Sequence, residues 1–215
     1  SEMCIRDSTN VHMLDSDLDG LGDGDELTIH KTDPKRADSD KDTLHDGFEI
    51  NVLKSDPLTA DSDGDGLDDD AEVWTHGTNP IAADTDGDGL SDSEEIILET
   101  NPSLADTDKD GLSDPDEINL LNTDPLARDS DEDGIEDANE DSDSDGLSDI
   151  DELDTFNTNP IVADTDGDGL SDSDELNILG TRALFEDSDG DGIIDGDEDT
   201  DSDGLTDANE LNTHH

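Results

Sequence analysis

The pattern Asp-x-Asp-x-Asp-Gly-Leu-x-Asp-x-x-Glu recurs ten times in this chain, starting at Asp15, Asp38, Asp61, Asp84, Asp106, Asp129, Asp141, Asp164, Asp187 and Asp199. Repetition of this kind decides architecture before local propensity does. Two unit lengths are in use. The loops starting at Asp129 and Asp187 are followed at once by the next copy, at Asp141 and Asp199; the others are followed by an insert nearly as long as the loop itself. The long units are equal in length except the one from Asp84 to Asp106, which is shorter by a single residue. In every copy positions 1, 3, 5 and 9 are Asp and position 12 is Glu, which places 50 of the 68 acidic residues at fixed offsets.

That register suits calcium. The ion is a hard cation that takes oxygen ligands, and the EF-hand loop of the same length supplies them from positions 1, 3, 5, 7, 9 and 12, with a bidentate Glu last. The expected ligands are Asp15, Asp17, Asp19, Asp23 and Glu26, then Asp38, Asp40, Asp42, Asp46 and Glu49, then Asp61, Asp63, Asp65, Asp69 and Glu72. The next loops offer Asp84, Asp86, Asp88, Asp92 and Glu95, then Asp106, Asp108, Asp110, Asp114 and Glu117. Asp129, Asp131, Asp133, Asp137 and Glu140 run directly into Asp141, Asp143, Asp145, Asp149 and Glu152. The last three sets are Asp164, Asp166, Asp168, Asp172 and Glu175; Asp187, Asp189, Asp191, Asp195 and Glu198; and Asp199, Asp201, Asp203, Asp207 and Glu210. Position 9 acts directly or through water. Position 7, Leu or Ile throughout, gives its carbonyl to the ion and its side chain to a small apolar seam. Random acidity would not hold Gly, Leu and Glu at fixed offsets. Magnesium fits less well, because it keeps tight octahedral geometry and bound water. The loop starting at Asp38 has Thr43 at position 6, where positive φ is expected. A β-branched residue is an outlier there, so this site is expected to be the weakest or distorted.

Composition agrees with an ion-centred fold. Only 27% of residues are hydrophobic and 2% aromatic, and the formal net charge is −59. Such a chain cannot offset the entropy of ordering by burial alone. Its field repels nucleic-acid phosphate and anionic membranes, leaving cations as natural partners. The one cysteine, Cys4, allows neither an intramolecular disulfide nor a thiolate metal site. No apolar run is long enough for membrane insertion. Ser1 to Ser8 lack the basic and apolar regions of a signal peptide. Residues 1–14 match nothing else in the chain, and are expected to stand outside a repeat region of 15–215 whose last copy is truncated.

The inserts carry a second pattern. An apolar residue follows the Glu at Leu27, Ile50, Val73, Ile96, Ile118, Leu153, Leu176 and Leu211, often with another three on, as at Leu53, Leu121, Phe156 and Leu179. This spacing predicts one or two turns of helix. Thr32-Asp33-Pro34, Ser55-Asp56-Pro57, Thr78-Asn79-Pro80, Thr100-Asn101-Pro102, Thr123-Asp124-Pro125 and Thr158-Asn159-Pro160 then end it, since the residue before Pro is pushed out of the α region. Thr181-Arg182-Ala183 departs from that rule. Pro115, at position 10 of its loop, suits the start of a helix. Glu140 and Glu198 leave no room for an insert, so the loops behind them must lie side by side. His30, His76 and His214 occupy a helical position filled elsewhere by Leu or Phe, and are read, like Trp74, as packing residues.

With DTDGDGLSD at Asp84 to Asp92 and at Asp164 to Asp172, the TNP turns and the long and short units in view, the chain from 15 to 215 resembles thrombospondin type 3 repeats of bacterial surface and secreted proteins. The resemblance implies a calcium-replete, extracellular or cell-surface region whose chain wraps a line of ions. Animal members carry cysteines in these repeats; their absence favours the bacterial type. The loop and insert are also similar to dockerin half-units, which are usually paired. The fold class expected is thus a repeat protein with little regular secondary structure: tandem EF-hand-like loops, short helices, proline turns, an ion-centred core and an elongated shape. Two functions are consistent with it: a spacer or stalk rigidified by about ten Ca2+ ions and joined to neighbouring domains, or a calcium-dependent adhesion module or calcium store with a protein or glycan partner. No nucleophile–base pair, phosphate loop or zinc cluster is present, and no catalysis is expected.

Overall fold

A computed structural model describes residues 14–211; the readings of residues 1–13, His214 and His215 lie outside the described residues. The chain divides between Ala105 and Asp106 into two compact units. The first holds the loops starting at Asp15, Asp38, Asp61 and Asp84; the second holds the rest. Among the described residues there is no strand, and the regular structure is a short helical segment that begins within each loop.

Each loop is closed by bonds to its own acids. The position-9 N–H donates to the carbonyl just before position 1, as from Asp69 to Ala60 at 2.7 Å and from Asp172 to Ala163 at 3.0 Å. The position-1 carboxylate accepts from the backbone N–H groups at positions 4 and 6, as Asp61 does from Gly64 at 2.7 Å and Gly66 at 3.2 Å. Bonds to ionised acceptors are stronger than neutral ones, so a loop with almost no apolar residue still has a defined shape.

The helical segments explain the two lengths of long unit. In most long units three α-helical residues run into a π-helical turn of five: Asp23–Asp25 into Glu26–His30, Asp46–Phe48 into Glu49–Leu53, and Asp69–Ala71 into Glu72–His76. Asp114–Asp116 and Glu117–Leu121 repeat this, as do Asp172–Asp174 and Glu175–Leu179, while Asp151–Phe156 is one longer π segment. The shorter unit starting at Asp84 has instead a plain α-helix, Asp92–Leu98, with Ser91 and Glu94 in a reciprocal cap. A π turn is an α turn with one residue inserted, and one residue is the difference in length. Each segment ends on a left-handed residue, such as Lys31 at φ 70° or Gly77 at φ 77°. Lys31 and Lys54 turn their ammonium groups back onto the last carbonyls, where the helix end is negative. Pro115 sits in the first turn of its segment, behind the Ser113 cap.

The apolar core is small. Leu21, Leu44, Leu112, Leu147 and Leu170, all at position 7, are buried, and so are Ala138 and Ala183. The expected seam does not extend to every loop: Ile135, Ile193 and Leu205 are about half exposed. These belong to the loops starting at Asp129, Asp187 and Asp199. The first two are followed by no insert, and the third lies at the end of the described chain, so none has a full unit behind it.

Five of the nine successive pairs of loops are joined by one recurring bond. The position-5 carboxylate accepts the position-10 N–H of the following loop: Asp19 from Gly47, Asp65 from Ser93, Asp110 from Ala138, Asp145 from Ser173 and Asp168 from Gly196. At Gly47 and Gly196 the chains approach so closely that an added Cβ would strike the backbone carbonyl of Asp19 or Asp168. The short units lead into the next loop differently. Glu140 and Glu198 leave their single 3-10 turns, Asp137–Asn139 and Asp195–Asp197, in extended conformation. A side chain on Gly111 would then meet both Ala138 and Ile150, so three consecutive loops share one packing surface.

The Gly196→Ala variant is expected to lose about 1–3 kcal/mol of stability through overpacking against fixed backbone, read as a lower unfolding midpoint.

Candidate metal centres

The structure gathers the loop carboxylates into two kinds of cluster. In the first, positions 1, 3 and 5 converge: Asp15, Asp17 and Asp19; Asp38, Asp40 and Asp42; Asp61, Asp63 and Asp65 each bring one oxygen within 4.8 Å of the others. In the second, positions 5 and 12 of one loop meet position 9 of the next, as Asp19, Glu26 and Asp46 do, and Asp42, Glu49 and Asp69. Asp19 and Asp42 belong to both kinds.

Position 9 also has a local task. Both oxygens of Asp46 accept from Ser39, one from the backbone N–H at 2.7 Å and one from the hydroxyl at 2.7 Å. The same pair of bonds fixes Asp23 to Ser16, Asp69 to Ser62, Asp92 to Thr85, Asp114 to Thr107 and Asp137 to Ser130. It recurs from Asp149 to Ser142, Asp172 to Thr165 and Asp207 to Thr200, and Asp195 takes the N–H of Ser188. Position 2 is Ser or Thr in all ten loops. That regularity is visible in the sequence, and it carries a role that ligand spacing alone does not reveal.

Position 12 is where the electrostatics are most severe. Glu26, Glu49, Glu72, Glu95, Glu117, Glu152 and Glu175 have no exposed surface. In Glu26, Glu49, Glu72, Glu117, Glu152 and Glu175, Oε2 is buried and accepts no hydrogen bond. A buried carboxylate with an oxygen that nothing satisfies is costly for a fold to contain. Burial first, and the neighbouring loop carboxylates second, push Glu49, Glu72, Glu117 and Glu175 up to about 8 and Glu26 up to about 7. Asp42, Asp108 and Asp143 are driven up to about 6, again first by burial. Buried, convergent carboxylates with unused oxygens are what a hard dication requires, so the residues present fit calcium.

The loops are not equal. Those starting at Asp129, Asp187 and Asp199 leave Asp131, Asp133, Asp189, Asp191, Asp201 and Asp203 exposed, and Glu140, Glu198 and Glu210 only half buried. The Thr43 loop is enclosed, with Asp42, Leu44 and Glu49 buried. Its departure is in the backbone: Thr43 has φ 85°. Every other loop gives its position-6 N–H to the position-1 carboxylate, whereas Thr43 instead donates its hydroxyl to Asp70 at 3.0 Å. His30 and His76 are half buried at the ends of their helical segments.

Fold and site together define a repeat protein whose repeats are acidic loops stapled to one another by their own carboxylates. The chain belongs to the bacterial TSP3 repeat family, which matches residues 15–37, 61–83, 84–105, 106–127, 141–163, 164–181 and 199–214. The Thr43 unit and the short units starting at Asp129 and Asp187 contribute most of what falls between those stretches. The family is a structural repeat and not an enzyme family. Among solved structures, a B domain of a Biofilm associated protein is 42% identical over 21% of this chain and 11% of its own, with a TM-score of 0.21. A BSP domain of a Biofilm associated protein is 44% identical over 20% of this chain and 7% of its own, with a TM-score of 0.20. No curated protein matches. Among the described residues no helix is long and apolar enough to cross a membrane.

Two measurements test the site. The raised carboxylate values mean that the ion-free fold holds protons more tightly than the unfolded chain does. Its stability is therefore fullest below about pH 4.5 and is lost as pH rises through about 8. Circular dichroism in chelator is expected to show more order at pH 5 than at pH 8.5. Separately, Thr43→Gly relieves a left-handed β-branched residue, a gain of about 1–2 kcal/mol, against the loss of an exposed hydrogen bond. A net rise of about 1 kcal/mol in stability is expected from thermal unfolding.

Proposed function

We propose that this chain is a calcium-loaded spacer, a stretch of an extracellular or cell-surface protein that holds neighbouring domains apart and is rigid only when its loops carry ions. One observation carries the reading: position-12 glutamates with no exposed surface and an oxygen that no hydrogen bond satisfies. In each loop the ion would be held by positions 1, 3, 5 and 12, with the position-7 carbonyl. The clusters of positions 5 and 12 with the next position 9 supply a second place for cations. The bound ion supplies charge neutralisation and a coordination centre in place of an apolar core. Each site filled to tenfold above its Kd contributes about 1.4 kcal/mol to the folded state.

Membership of a structural repeat family supports the spacer over an enzyme. A second reading, reversible ion storage or a calcium-dependent binding surface, is favoured by the open loops at Asp129, Asp187 and Asp199, whose exposed carboxylates would exchange ions readily.

Calorimetric titration of calcium-free protein at pH 8 is expected to find about ten ions or more, with order appearing in circular dichroism as they bind. A chain already ordered in chelator, or one that takes only one or two ions, sinks the proposal. X-ray scattering separates the two roles: a calcium-loaded form of fixed, extended dimensions supports the spacer, and a loaded form as variable in size as the free chain supports storage.

A further inference from the structure

The π-helical turns place a second set of hydroxyls on the glutamates. In the long units that contain such a turn, the residue six beyond the loop Glu is Ser or Thr. Its hydroxyl donates to the Glu Oε1: Thr32 to Glu26 at 3.3 Å, Ser55 to Glu49 at 3.3 Å, Thr78 to Glu72 at 3.2 Å, Thr123 to Glu117 at 3.3 Å, Thr158 to Glu152 at 3.1 Å and Thr181 to Glu175 at 3.1 Å. Oε2 of each of these glutamates accepts nothing. The backbone repeats the grip, since the N–H of Thr78, Thr123, Thr158 and Thr181 donates to the carbonyl of the same Glu at 3.1 Å.

The unit starting at Asp84 provides an internal contrast. Its helix has one residue fewer, and Thr100 directs its hydroxyl to the backbone carbonyl of Glu95 at 3.4 Å. The inserted residue of the π turn thus coincides with a hydroxyl set on the carboxylate and not on the main chain. Rotation about the terminal torsion of Glu is broad and nearly free. A hydroxyl on Oε1 removes that freedom and leaves the oxygen its second lone pair.

We propose that Thr32, Ser55, Thr78, Thr123, Thr158 and Thr181 are positioning residues that hold the loop glutamate in the orientation for bidentate coordination. The inference rests on the reading of the loops as calcium sites. The hydroxyl does not touch the ion; it fixes the plane of the carboxylate that does. Partners of this kind are worth about 10–100-fold in metal affinity in other sites. Without the hydroxyl the glutamate falls back to one-oxygen coordination and a water takes the vacated place. The Thr-Asn-Pro turn then has two tasks, ending the helix with its Pro and aiming the ligand with its Thr.

Trp74 makes the test local. It is the chain's one tryptophan, two residues beyond Glu72 in the same π turn. Terbium substituted for calcium and excited through the indole reports chiefly on the nearby site, and its lifetimes in H2O and D2O count the waters on the ion. In Thr78→Val the count is expected to rise by about one, with calcium affinity at one site about tenfold weaker; Thr78→Ser is expected to restore both. A merely structural hydroxyl would lower thermal stability and leave the water count unchanged. An unchanged count and affinity in Thr78→Val overturns the positioning role and leaves the calcium reading standing. Wild-type protein with neither sensitised emission nor a calcium heat overturns the calcium reading, and this inference with it. If Thr78→Val loses all emission, Thr158→Val decides by calorimetry: one site about tenfold weaker, rescued by Thr158→Ser, supports the role, and unaltered affinity overturns it.

Discussion

Carboxylates drawn to within a few ångströms of one another repel, by about 4 kcal/mol per pair at 4 Å in a medium of effective dielectric near 20. Nearly every feature of this fold answers that repulsion. The loop backbone turns its N–H groups onto the position-1 and position-5 acids, and position 2 gives an N–H, and in all but one loop a hydroxyl, to position 9. These bonds absorb part of the charge. They do not reach the position-12 glutamates of the long units, which are driven deepest, and in Glu26, Glu49, Glu72, Glu117, Glu152 and Glu175 one oxygen keeps no donor. A cation held as proposed would complete the arrangement, and the small set of buried leucines adds a modest apolar core beside it.

The same acids also connect the repeats. The position-5 carboxylate reaches into the next loop for the position-10 N–H, and the position-9 carboxylate lies with positions 5 and 12 of the loop before. No repeat has a complete environment by itself, as expected of a quasi-one-dimensional protein stabilised by nearest neighbours. Where the insert is missing, both consequences are visible at once. The position-7 side chain loses its cover, and the glutamate leaves its helix and becomes half exposed. Unequal spacing therefore produces unequal loops: enclosed ones within the runs of long units, and open ones at Asp129 and Asp187, where the next loop begins directly.

Much of this is legible in the sequence, because ligand chemistry demands particular residue types at particular offsets. The loop register, the short helices and the left-handed strain at Thr43 all derive from the pattern of Asp, Gly and Leu. What the pattern hides has physical reasons too. Serine and threonine at position 2 are as regular as the acids, but a hydroxyl has too many common uses for regularity alone to assign one. The Thr before Asn-Pro is overshadowed by its neighbour Pro, whose effect on the backbone is stronger and better known. The short step from Asp84 to Asp106 is plain as a number. Its meaning, an α-helix where other units have a π turn, depends on where a chain absorbs one extra residue, and spacing does not say. The exposure of Ile135 and Ile193 is not written in their own loops, since it depends on the segment behind them.

The bond from position 5 to position 10 has one further consequence. It reaches no farther than the adjacent loop wherever it occurs, so a repeat is complete once the loop after it has formed, and more distant residues contribute little to that step. Contacts this local favour fast folding. Such a chain can condense in order, like a zipper drawn from one end. Growth of the fold is then a matter of adding neighbours one at a time, and an interruption at one loop leaves the repeats already closed intact.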